Sequence, residues 1–220
     1  MIRSRVWTMA AVGVVATSLA GCSALDYMMT QTAKIFTPPP KTTPAYRLDG
    51  KNVLILVDPA SQSLLARSPR LPYVMARAVA QELSDRKAAR TIVNPLDVES
   101  FAQNEPTYAA MTVVDIGKAF HVDEVVQIVV TEYDITPTAG SDQYTGRVAI
   151  DLCVIDVEKG QQAYPAMGRS QTIEAGSASG ITASSRGDAE KAVMDGLARK
   201  VGMVFVPYLI EERPMRAEVK

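Results

Sequence analysis

Cysteine and histidine are almost missing from this chain of 220 residues, which carries two cysteines, Cys22 and Cys153, and one histidine, His121. Zinc is held by sets of three or four such ligands, so a Cys/His zinc centre cannot be assembled and no metal is expected. Positive charge is not in excess either, with 23 Lys and Arg against 24 Asp and Glu. Phosphate backbones are bound by clustered Lys and Arg, so nucleic acid is excluded as a partner. No nucleophile motif and no cofactor loop ending in Gly-Lys-Ser/Thr occurs, so no cofactor and no enzymatic activity are expected. The longest apolar run falls short of the roughly 20 residues that cross a bilayer as a helix.

What the chain does have is an ordered beginning. Arg3 and Arg5 precede an apolar run over residues 6–19, the charged and hydrophobic regions of a secretory signal. The run closes on Leu19-Ala20-Gly21-Cys22. This quartet resembles the bacterial lipobox at all four positions: a branched aliphatic, a small residue, Gly or Ala, then Cys. The resemblance implies cleavage between Gly21 and Cys22, diacylation of the Cys22 sulfur and acylation of the new amino terminus. The competing readings are an ordinary signal cut after Ala20 or Ala24, leaving a soluble protein with a free Cys22, and an uncleaved anchor helix, which the short run disfavours. Each buried methylene contributes about 0.8 kcal/mol, and two chains anchor stably where one does not. Ser23 follows where Asp would signal inner-membrane retention, which points to a periplasm-facing anchor in the outer membrane. Loss of residues 1–21 removes two cations and no acid, moving the formal charge from −1 to −3. With Cys22 acylated, Cys153 has no partner for an internal disulfide.

Residues 22–46 read as a lipidated Cys and a Pro-rich tether. Four prolines fall between positions 37 and 44, and proline there disfavours helix and favours an extended spacer. At about 3.1 Å per residue this piece covers roughly 25 Å. A single domain follows over 47–212, then a charged tail over 213–220.

The domain opens on Val53-Leu54-Ile55-Leu56-Val57, a continuous apolar run of the kind covered on both faces, expected as the central strand. Pro72 then starts a helix with Val74, Met75, Ala78, Val79 and Leu83 at helical spacing. Residues 90–93 suit a short strand, and 96–102 and 108–120 are helical in period. Residues 125–135 and 146–157 are β-branched and suit a long antiparallel pair. Glu158-Lys159-Gly160 turns into a third strand reaching Ile173, followed by a small-residue loop over 175–187. A final helix begins near Asp188, capped from Ser185 or Asp188, with Val193, Leu197, Val201 and Phe205 on one face, and Pro207 ends it. The order strand, helix, strand, helix, three strands, helix predicts an α+β fold: one mixed sheet with helices packed mainly on one face.

That order resembles the CsgG-like family over residues 50–210. Its carriers are the opening strand, the helix ending at Leu83 to Arg86 ahead of a strand, Val122-Asp123-Glu124-Val125-Val126, and the alternating strand from Val148 that ends in Asp156-Val157-Glu158-Lys159-Gly160. The same fold occurs in the amino-terminal domain of TolB and in lipoprotein activators of peptidoglycan synthases. The resemblance implies a non-enzymatic envelope lipoprotein that binds partners, as a scaffold or accessory subunit of secretion or cell-wall machinery. A secretion ring of many copies is one alternative. Its pore does not carry over, because barrel strands need about 9–11 alternating residues each and the connections here are too short.

The other alternative is an envelope hydrolase, with His121 beside Asp123 and Glu124 as a base, or Asp58 at the end of a buried strand as an acid. The bland readings are a helix-ending His121 and a turn-forming Asp58 before Pro59. Gly176 to Gly180 lacks the basic residues of a phosphate cradle, and Cys153, inside an apolar strand, reads as an inert thiol. A protein partner is expected to meet the edge near residues 161–173 or the small-residue loop, strand addition being the reasonable mode.

Overall fold

A computed structural model describes residues 41–166, 168–176 and 181–208. The signal-like segment, Gly21 and Cys22, the tether as far as residue 40, positions 177–180 of the small-residue loop, and the tail lie outside the described residues. Residues 42–208 form one compact unit.

β1, Asn52–Pro59, is the apolar run foreseen in the sequence. It lies parallel to β2, Thr91–Ile92, on one side and to β3, Glu124–Pro137, on the other, with Val53 opposite Glu124 and Pro59 opposite Val130. β3 pairs antiparallel with β4, Tyr144–Asp156. Three short strands, β5 (Gln161–Tyr164), β6 (Gln171–Ala175) and β7 (Ile181–Ala183), all pair antiparallel with β4. The result is the expected α+β architecture, a seven-stranded mixed sheet in the order β2-β1-β3-β4-β5. β1 is therefore internal but one place from the edge, and β3 occupies the middle.

Alternation along the strands sorts the core into two layers. Val53, Ile55 and Val57 share a face with Val126, Ile128, Ile150 and Leu152, covered by helices α2 (Leu71–Asp85) and α5 (Arg186–Phe205). α2 contributes Leu71, Met75, Val79 and Leu83 at spacings of four, and α5 contributes Val193, Leu197 and Val201, so each helix lays one stripe on the sheet. A fully buried aliphatic of this kind contributes about 1.5–3 kcal/mol, which makes this layer the main source of stability. Leu54, Leu56 and Val125 face the other way, beneath α3 (Pro95–Asn104) and α4 (Val113–Ala119). Those two helices cover only the β1 end, so the helices do lie mainly on one face. Among the described residues no helix is long and apolar enough to cross a membrane.

Local chemistry explains where the elements depart from expectation. A short helix, α1 (Gln62–Arg67), lies in the stretch read as a polar loop; Ser61 caps it and Leu64 is its one buried residue, too little periodicity to notice. The helical period over 108–120 is interrupted: a 3-10 turn at Tyr108–Ala110 ends before Thr112, whose hydroxyl accepts from the Asp115 N–H while Asp115 accepts from the Thr112 N–H. This capping box starts α4 afresh. The single third strand is two strands, β5 and β6, because the chain leaves β4 at Pro165, and the Gln162 side-chain amide donates to the Pro165 and Arg169 carbonyls across the gap. The small-residue loop contains β7. Ser185 caps α5, which ends at Phe205 ahead of Pro207.

The chain joins the fold ahead of residue 47. The Thr42 N–H donates to the Tyr208 carbonyl (2.8 Å), the Tyr208 N–H to the Thr42 hydroxyl (2.9 Å) and the Tyr46 N–H to the Val204 carbonyl (3.0 Å). Leu48 is fully buried, and Tyr208 packs into the main core with Arg86 stacked on its ring at 4.6 Å. Residues 42–46 thus belong to the domain rather than to a free spacer.

Candidate functional site

The residues singled out for chemistry are placed far apart. His121 follows α4 with a positive φ of 53°, and its N–H donates to the Lys118 carbonyl, the position of a helix-ending residue. It shares an open cavity of about 520 Å³ with Lys51, Asp123, Asp156 and Lys159. The Asp123 carboxylate is already engaged there, accepting the Asn52 N–H at 2.7 Å and fixing the start of β1. Asp58 stands at the other end of β1, opposite Val129, five residues along β3 from Glu124. At about 3.3 Å per residue that is roughly 17 Å, so Asp58 and His121 cannot share a proton.

Asp58 belongs instead to a polar row on the face of the sheet opposite α2 and α5, the face that carries Leu54, Leu56 and Val125. The Gln127 side-chain amide donates to Asp58 Oδ2 at 3.1 Å, and the Cys153 thiol donates to Gln127 Oε1 at 3.6 Å. Burial pushes the Cys153 thiol above its ordinary range, so it stays protonated and a poor nucleophile. Gly176, with φ of 96°, passes so close to the Gly146 carbonyl that a Cβ would collide with it. The glycine serves this approach of backbone to backbone. The helix that follows, α5, is already capped by the Ser185 hydroxyl and by Asp188 in its first turn, which suits no bound phosphate. Among the described residues no group of three or more His, Cys, Asp or Glu could hold a metal ion.

An acid at the same end of the sheet as His121 is buried, which nothing in the sequence around it signals. Glu124 is 2% exposed; its Oε1 accepts from the Tyr46 hydroxyl at 2.8 Å and lies 3.7 Å from the Lys51 ammonium, while its Oε2 has no partner among the described residues. Burial raises its pKa first of all, against the Tyr46 hydrogen bond and the Lys51 charge, which lower it, with the Asp156 carboxylate raising it further. Burial and the Glu124 carboxylate likewise raise the Tyr46 hydroxyl. This pair ties residue 46 to β3.

The sheet's two margins differ. The β5–β6–β7 side, where a partner was expected, is divided into strands of four, five and three residues. On the other side β2 ends after two residues. The Val93 N–H donates to the Val53 carbonyl, so by alternation the N–H and C=O of Ile55 and Val57 point to the side where β2 has stopped. They face a cavity of about 190 Å³ roofed by Tyr73 and Ala76 of α2 and floored by Val98 and Ala102 of α3. A second cavity of about 460 Å³ adjoins it along β2, sharing Tyr73 and Pro95, and is lined by Arg77, Lys87 and Arg90 with no acidic side chain. Nothing in the sequence signals that these three cations, on a helix, a turn and a strand entrance, converge. The brevity of residues 91–93 before Asn94-Pro95 was the one readable sign of an open edge.

No family model matches the chain, and no curated protein matches it. Among solved structures it is similar to a PelC dodecamer from Paraburkholderia phytofirmans, with 15% identity over 77% of this chain and 98% of that one and a TM-score of 0.47. It is also similar to a lipoprotein of Neisseria meningitidis, with 19% identity over 68% of this chain and 97% of that one and a TM-score of 0.41. Likeness this loose transfers neither a function nor an assembly.

Proposed function

We propose that this chain is a lipid-anchored, non-enzymatic lipoprotein of a Gram-negative-type envelope, held through Cys22 in the outer membrane and facing the periplasm. Its CsgG-like or TolB-like domain acts as a binding or accessory subunit of secretion or cell-wall machinery. The observation that carries the reading is Leu19-Ala20-Gly21-Cys22 at the end of a charged and apolar leader. Binding is favoured over catalysis because Asp58 and His121 stand at opposite ends of β1, and the carboxylates nearest His121 in sequence are spent on Asn52 and Tyr46.

Three variants test it. Cys22→Ser abolishes acyl labelling and signal processing on this reading, and normal labelling in that variant defeats the anchor. His121→Ala and Asp58→Ala each leave function intact. Loss of function in a folded, membrane-attached variant of either would establish the hydrolase instead.

A further inference from the structure

We propose that the open edge of β1 beside β2 receives an extended, acidic polypeptide segment of a partner protein, one apolar residue entering the pocket between α2 and α3 and its acidic flank lying over Arg77, Lys87 and Arg90. The proposal deepens the binding-module reading and rests on it.

Three observations converge on this occupant. Ile55 and Val57 are 2% and 8% exposed, yet no described residue makes a backbone hydrogen bond to the N–H or C=O groups they turn away from β3. Buried backbone groups are nearly always paired. A donor and an acceptor repeated two residues along a strand are matched by another extended chain, which supplies both; a polyanion supplies acceptors alone.

The cavity these groups face is otherwise apolar, with Glu99 its one carboxylate. At about 190 Å³ it is far larger than the space a single bridging water needs.

Charge completes the match. The adjoining cavity presents three cations and no acid, and the side chains of Arg77 and Lys87 have no ion-pair or hydrogen-bonding partner among the described residues, so their charge is free for a ligand. Arg90 is anchored by its bond to the Gly50 carbonyl and fixes the cluster in place. Opposite charge here steers the encounter and sets register, while the β1 edge and the apolar pocket hold the segment.

The test is selection of a displayed library of random short peptides against the full mature protein in detergent, at low salt because exposed charges are screened within about 10 Å at 0.1 M. The expected winners carry Asp and Glu beside one large apolar residue. They bind the Arg77→Glu/Lys87→Glu double variant at least about tenfold more weakly, a loss of about 1.4 kcal/mol. They also fail on Ala102→Phe, which fills the pocket from a partly exposed helix position, and they slow hydrogen exchange at the Ile55 and Val57 amides. Winners without acidic enrichment, or winners indifferent to all three substitutions, overturn the proposal. Slowing at β5 and β6 instead moves the partner to the far edge: this site falls and the binding-module reading stands. Inorganic polyphosphate that competes at Arg77 and Lys87 without slowing the Ile55 and Val57 amides assigns the cations to a polyanion and also overturns it. A library that yields no binder at all defeats the peptide site, and a monomer without crosslinked partners in the cell then defeats the binding module too.

Discussion

Glu124 is a carboxylate kept out of water with half of its hydrogen-bonding capacity unused among the described residues. Its raised pKa fixes the sign of a pH effect. The folded chain holds this proton more tightly than the unfolded one, so above the ordinary glutamate value of 4.5 the native state binds more protons and stability falls as pH rises toward the raised value. The groups facing it are the Tyr46 hydroxyl, the Lys51 ammonium, Asp156 and, behind Asp156, Lys159. Asp156 is held below its ordinary range by Lys159, so it is ionised throughout this window. Glu124→Gln keeps an acceptor for Tyr46 and removes the titration. Urea unfolding from acid to neutral pH is expected to show the wild type losing stability relative to this variant as pH rises, and a constant difference would contradict the burial argument. Gly176 makes a second case. Its left-handed φ and its approach to the Gly146 carbonyl oppose any Cβ, and the obstacle is backbone, which cannot swing aside. Gly176→Ala is expected to cost about 3 kcal/mol in denaturant unfolding, from strain and overpacking together; a neutral result would mean the β6–β7 connection repacks freely.

The elements show which physical signals a sequence carries. β1, α2, the β3–β4 pair and α5 were legible because each repeats its pattern over many residues: continuous aliphatics, a spacing of four, or β-branched alternation. The divided β5 and β6, the three-residue β7 and the six-residue α1 were not, since pieces this short are held by pairing with β4 or by one buried leucine rather than by a period of their own. Gly117 in α4 shows packing overriding propensity. Alanine there is the better helix former by about 1 kcal/mol, but its Cβ would stand 2.6 Å from a Val157 methyl and 2.9 Å from a Val125 methyl. Both side chains are β-branched and stiff, so overpacking at about 1–3 kcal/mol wins. Gly117→Ala is therefore expected to destabilise the protein and lower its thermal midpoint; a rise would show α4 free to lift from the sheet.

At the scale of the whole molecule the fold class followed from the order of elements, whereas the candidate site did not. Arg77, Lys87 and the edge of β1 come together only through the crossing of α2 over a sheet whose outermost strand stops after two residues. The sequence edge that drew attention, residues 161–173, is instead part of a margin broken into short strands, the arrangement that natural sheets use to discourage pairing. His121 ends a helix as expected, whereas Asp58, expected to form a turn before Pro59, is paired within β1 and accepts from Gln127; the register of β1 on β3 keeps the two apart. The proposed anchor at Cys22, a domain beginning at Thr42 and an open edge with cations beside it make up one proposal: a periplasm-facing module that holds a partner close to the membrane. The measurement that tests this most directly is the mass and composition of the complex formed by the native protein after gentle detergent extraction, with in-cell crosslinking to retain weak partners. The account predicts a defined complex with a different protein, crosslinked through the β1–β2 margin. A large assembly of this chain alone would establish the ring instead, and a monomer with no crosslinks would contradict the binding role and return attention to His121 and Asp58.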